Sequence, residues 1–277
     1  MSSERGRGGD RSPAGRSTTP GAPPPAPDEL LESVVGATLD LIARARTPLA
    51  AEQVVCDLIG TVELAAPPAS TWPQRAELRD LVVSQVIAAV QLQRNSAALA
   101  LLRVCSVLGS PATRAAAATA ARRVAAAGVR DRVWAADLGR PRGVRAWWYA
   151  DAEGRQESVG VLFEYGTREH AVTVLIDHTA GGGILDCWTA EGREARELRH
   201  QTEALVAREP SHEFADIELG EAAVLLAAAV AAPVCPREMI QMEAVAGGIE
   251  LVRARAELLT LETRAAIRRR RGPRTPQ

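Results

Sequence analysis

The chain has 277 residues, 47% hydrophobic and 24% charged, with a formal net charge of −1, values that suit a globular protein with a real core and exclude a collagen-like or wholly disordered chain. Lysine is absent, so all 33 basic residues are arginine, which excludes Schiff-base chemistry and a P-loop lysine. Only 3% of residues are aromatic, and the apolar share is mostly Ala, Leu and Val, which predicts alanine-rich helices.

Residues 1–27 are rich in Gly, Pro, Ser, Thr and Arg and end in PGAPPPAP. That composition predicts a disordered arm, with Arg5, Arg7, Arg11 and Arg16 available to an acidic partner. A helical domain is expected over 28–138. Asp28 is an N-cap candidate, followed by Leu30, Leu31, Val34, Val35, Leu39 and Ile42 at helical spacing. Pro48 opens a second helix that ends at PPAS, and Pro73 a third with Leu78, Leu81, Val82, Ile87 and Val90 inward. Ser96–Leu108 and Pro111–Ala127 make a fourth and fifth, closed by Gly128. The array reads equally as a helical bundle or as stacked helical repeats.

From Val144 to Ala190 the period changes to two. Val159, Val161, Phe163 and Tyr165 alternate with smaller or polar residues, as do His170, Val172, Val174 and Ile176, and the breaks are DAEG, GTR and Gly181–Gly183. A four-stranded antiparallel meander follows from that punctuation. Six of the nine Phe, Trp and Tyr residues lie in this stretch, which makes it the bulkiest packing in the chain. Helices are expected at Glu191–Arg208, Gly220–Ala232 and from Arg237 past Leu259, with HEFADIEL as a short extended piece and Gly247 and Gly248 weakening the last helix. The second domain, 139–263, is thus an antiparallel sheet covered by C-terminal helices, and the fold class is α+β.

The residues VRAWWY, FEYG, REHAVTVLIDH and DCW resemble a segment of uncharacterised proteins of high-GC Gram-positive bacteria, over about Ala97 to Leu259. The resemblance implies no activity and transfers no functional residue.

Residues 264–277 carry six arginines and no acid, which leaves the rest of the chain at −7. Such a tail, with Arg268, Arg269, Arg270 and Arg271 at its centre, can meet phosphate backbones in a salt-dependent way, although it lacks interleaved aromatics for base stacking. Cys56, Cys105, Cys187 and Cys235 form no C-x-x-C, and with no signal peptide a cytoplasmic setting with free buried thiols is expected. No apolar run reaches the length of a membrane span.

The strongest candidate for chemistry is Asp177, His178, Asp186 and Cys187, on either side of TAGGG. If that loop closes a hairpin, His178 would lie across from Cys187, and a Cys-His pair with a carboxylate is the inventory of a thiol nucleophile. The plain alternative is a glycine turn with Cys187 packed as a small apolar residue. Metal binding is not expected, because His170 lies eight residues from His178 on one strand and nothing has zinc spacing. No cofactor motif is present. Trp147 and Trp148 point to opposite faces, so either could mark a contact surface. Missing catalytic signatures and the helical array favour a non-enzymatic protein-interaction or regulatory module with a protein partner. The alternatives are nucleic-acid association through the tail, or a thiol-dependent hydrolase or transferase at Cys187 and His178.

Overall fold

The computed structural model describes residues 27–67, 70–209, 211–232 and 239–271, without the side chains of 27–28, 72, 180, 239–244 and 267–271. The arm 1–26, the tail beyond Arg271 and Cys235 lie outside the described residues.

Five helices come first: α1 (Pro27–Arg44), α2 (Pro48–Ala65), α3 (Trp72–Val90), α4 (Ser96–Cys105) and α5 (Pro111–Ala126). Their starts are set chemically. Thr47, Thr71, Asn95 and Ser110 are extended N-cap residues whose side chains accept the amide three residues on, satisfying a donor the helix itself leaves open. Proline follows within the first turn of α2, α3 and α5, where its missing N–H costs nothing.

The meander is present and has a fifth strand. β1 (Arg142–Ala150), β2 (Gln156–Tyr165), β3 (Arg168–Asp177) and β4 (Gly183–Glu191) are followed by α6 (Gly192–Val206), β5 (Glu213–Ile217), α7 (Leu219–Ala231) and α8 (Met239–Arg271). The order β4-β3-β2-β1-β5 is antiparallel throughout, so the HEFADIEL stretch crosses back to pair with β1. Helix α8 extends to Arg271, so Arg264 to Arg271, expected in the tail, continue that helix.

One sheet face carries Ala146, Val159, Val161, Phe163, Val172, Val174, Ile176 and Cys187 into a core continuous with α2, α7, α8 and the N-terminal helices. The expected boundary near residue 138 is therefore crossed by a single packed interior. The other face buries Trp147, Ala171 and Ala190 beneath Ala195 and Leu198 of α6. Trp147 lies flat on Gly160, where a Cβ would sit 2.1 Å from its indole, so a side chain there is sterically forbidden.

The glycine pair of α8 is a packing device rather than a weakness. A Cβ on Gly60 of α2 would come within 2.6 Å of the Ala246 backbone, and one on Gly248 within 2.6 Å of Cys187 Sγ. Small residues thus let α8 wedge between α2 and β4. Helix α3 departs from its expected face. Leu81 is exposed, while Arg75, Arg79, Val83, Val86, Ile87 and Val90 turn inward, because two arginines occupy the start of the buried stripe.

Candidate functional site

The expected hairpin about TAGGG exists, but its register differs from the one that would join the four candidate residues. Asp177 pairs with Gly183, Leu175 with Asp186 and Val174 with Cys187, with Leu185 bulged between. His178, in the 3-10 turn His178–Ala180, is four residues beyond the partner of Cys187, roughly 13 Å along a strand.

Each of the four has a local task. Asp177 is fully buried and accepts from the Thr179 amide (2.9 Å) and hydroxyl (2.5 Å), pinning the turn. His178 reaches the other way, with Nε2 2.9 Å from Glu157 Oε1, while Trp148 Nε1 donates to Glu157 Oε2 at 2.7 Å. Asp186 accepts the Cys187 amide at 2.8 Å. Cys187 faces the core, its Sγ 3.9 Å from Val245 O; burial, with the Asp186 charge adding, pushes its thiol up to about 12. A thiolate nucleophile needs the opposite surroundings. Trp147 is sealed beneath α6, and Trp148 is partly buried against the main core. Arg268 to Arg271 form the last turn of α8, and their side chains are outside the described residues.

The concentrated electrostatics lie elsewhere, on the inner faces of α2 and α8. Arg255 of α8 is 1% exposed and donates to Glu52 Oε2 of α2 at 2.5 Å and to His170 Nε2 of β3 at 3.2 Å. Tyr165 of β2 donates to Glu52 Oε1 at 2.6 Å. His170 stacks between Phe163 and Tyr165, with ring centroids 5.4 and 5.5 Å away. Burial, reinforced by the Arg255 charge, lowers its pKa to about 3, so the ring is neutral. Arginine stays protonated and donates to Nε2, which places the single ring proton on Nδ1.

Nearer the other end of α2, Arg79 bridges Glu63 (3.1 Å) and Glu250 (2.9 Å), Arg253 also pairs with Glu250, and Arg75 donates to the Glu63 carbonyl at 2.6 Å. None of these residues announced itself in the sequence. The only available signal was Glu52, Glu63, Arg75 and Arg79 falling at helical spacing on otherwise apolar faces.

Among the concavities on the surface of the described residues, three border charged or apolar clusters. A groove of about 1000 Å³ runs between α1 and the α3–α4 corner, lined by Leu31, Val35, Gly36 and Leu39 on one side and Leu92 and Ala97 on the other. A cleft of about 680 Å³ collects Arg79, Arg114, Arg253 and Arg264 with Glu250 and Glu257. A pocket of about 310 Å³ sits where the β2–β3 turn meets the start of α2, with His170 in its wall. Among the described residues, no group of three or more His, Cys, Asp or Glu side chains could hold a metal ion, and no helix is long and apolar enough to cross a membrane. No family model matches the sequence, and no curated protein or solved structure is similar to it.

Proposed function

We propose that the protein is a non-enzymatic interaction or regulatory module that receives an amphipathic helix of a partner protein in the groove between α1 and the α3–α4 corner. The groove itself carries this reading. Its floor is aliphatic, from Leu31, Val35 and Leu39, and Leu92, 78% exposed, stands in its far wall. An apolar trough of this kind suits helix-in-groove recognition. Its α1 wall adds Glu32 and Asp40, which outnumber the lining's one cation, Arg132, so the fitting partner has basic residues flanking an apolar stripe.

Gly36 supplies the test. A Cβ there meets nothing within 4 Å, so Gly36→Leu fills the groove while favouring the helix. A labelled amphipathic peptide with a leucine stripe and arginine flanks is expected to bind the wild type, and Gly36→Leu to weaken it about tenfold with no loss of thermal stability. Equal binding by the variant, or by a scrambled peptide, overturns the proposal.

A second reading, nucleic-acid association, is favoured by the arginine cleft, because α8 carries Arg253 and Arg264 beside Arg79 and Arg114 and continues as a helix into Arg268–Arg271. Paired carboxylates offset part of that charge, so it ranks second. A thiol enzyme draws no support from Cys187, whose sulfur is packed against α8.

A further inference from the structure

We infer that the pocket between the β2–β3 turn and the start of α2 binds a compact monocarboxylate, with the His170 Nδ1–H as the donor in its wall. This site is separate from the α1 groove and stands whether or not that groove takes a helix.

The inference starts from an unmet donor. His170 is 1% exposed, and among the described residues its ring's one hydrogen bond is the one Nε2 accepts from Arg255. Nδ1 therefore holds a proton with no acceptor among the described residues. It is not among the sealed, unpartnered side-chain atoms, which are Arg132 Nε, Trp147 Nε1, Ser158 Oγ and Thr173 Oγ1. Nδ1 thus keeps some access, and the space His170 borders is this pocket.

A second donor converges there. In the first turn of α2, Thr47 takes the Ala50 amide with its side chain and the Ala51 amide with its carbonyl. Pro48 has no N–H, so the Leu49 amide is left open at the positive end of the helix, and Leu49 also lines the pocket. An imidazole N–H and a helix N-terminus are both complementary to an oxyanion.

Size and charge narrow the class. About 310 Å³ is at the small end of ligand sites. Around the mouth, Arg168 and Arg196 face Glu169 and Glu191, and Arg196 is already paired to Glu169 at 2.6 Å. The charged rim sums to zero, which suits one negative charge and disfavours a doubly charged phosphate. Arg168 is exposed and, among the described residues, in no salt bridge, free to close on the bound carboxylate.

The probes are acetate and inorganic phosphate, added to the full chain while the His170 imidazole nitrogen resonances are followed by NMR. Acetate is expected to shift the Nδ1 resonance saturably, with phosphate weaker. His170→Gln, whose amide oxygen can still accept from Arg255, and the surface variant Arg168→Ala are each expected to weaken acetate about tenfold, the worth of one charge-assisted hydrogen bond. No saturable shift with acetate, phosphate binding more tightly than acetate, or unchanged acetate affinity in Arg168→Ala each overturns the inference. The Arg168 variant keeps the test decisive should His170→Gln fail to fold.

Discussion

Replacing Gly248 by alanine tests whether Cys187 is a packing atom. The new Cβ would lie 2.6 Å from Cys187 Sγ, 3.7 Å from its carbonyl oxygen and 3.8 Å from its Cβ. Carbon contacts are comfortable at roughly 3.5–4.0 Å, so the clash is with the sulfur alone, by about 1 Å. Overpacking of this kind costs about 1–3 kcal/mol, while Gly→Ala inside a helix returns about 1 kcal/mol. Gly248→Ala should therefore be neutral to destabilising by about 2 kcal/mol. In a Cys187→Ala background the sulfur is gone and the nearest side-chain approach is the ordinary 3.8 Å contact, so the same substitution should stabilise by about 1 kcal/mol. A double-mutant cycle by urea and thermal denaturation reads the difference. The expected coupling of about 1–3 kcal/mol is equivalent to several degrees of Tm in a chain of this length. An identical effect of Gly248→Ala in both backgrounds would refute the packing of β4 against α8 and restore Cys187 as a free thiol.

Four further outcomes follow from the interior. Glu52→Gln leaves Arg255 buried without its counter-charge and should cost about 3–5 kcal/mol, whereas Glu52→Leu with Arg255→Met should recover much of it; a double variant as unstable as the single one counts against the pair. The His170 pKa of about 3 lies below the ordinary imidazole value of about 6.5, so between those values the unfolded chain binds a proton that the folded one does not. Stability should accordingly fall as pH drops through that window, by up to about 1.4 kcal/mol per unit, and His170→Gln should flatten that part of the profile measured by denaturant titration. In a Cys235→Ser background, native alkylation at neutral pH should be slow, because burial raises the Cys56 thiol well above its ordinary value and those of Cys105 and Cys187 to about 12; rapid labelling at Cys187 would contradict the geometry. Filter binding of single-stranded nucleic acid at low and high salt, with and without truncation at Thr263, tests the second functional reading, which predicts a salt-dependent affinity lost on truncation.

The sheet was readable because its cues are local. Alternation in β2 and β3, with glycine turns between strands, needs no knowledge of what lies above or below. Helix starts were readable for the same reason, since Pro48 and Pro111 mark first turns whatever the tertiary setting. The inner face of α3 was not. Arg75 and Arg79 sit where a hydrophobic stripe should begin; Arg79 is paired there with Asp80 and with Glu63 and Glu250 of two other helices, and Arg75 donates to the carbonyls of Glu63, Pro67 and Ser70. His170 was dismissed for its distance from His178, a correct distance applied to the wrong partner. Its true partner, Arg255, is 85 residues downstream, and Arg255 is itself held by Glu52, over a hundred residues upstream of His170. The Asp177–Cys187 constellation failed because the turn closes with Asp177 opposite Gly183, which sets Asp186 and Cys187 against Leu175 and Val174, and the bulge at Leu185 shifts that register by a single residue.

The bond from Arg255 to Glu52 joins positions 203 residues apart, and it has a consequence for how the chain emerges during synthesis. Until α8 leaves the ribosome, Glu52 of α2 lacks Arg255, its buried counter-charge, whereas Glu63 can already meet Arg79 of α3. Helices can form early, yet the interior closes only when α8 has joined α2. A product terminated before α8 would leave Glu52 and the apolar residues beside it uncovered, the kind of surface that chaperones and proteases engage, so α8 sets the moment at which this interior closes.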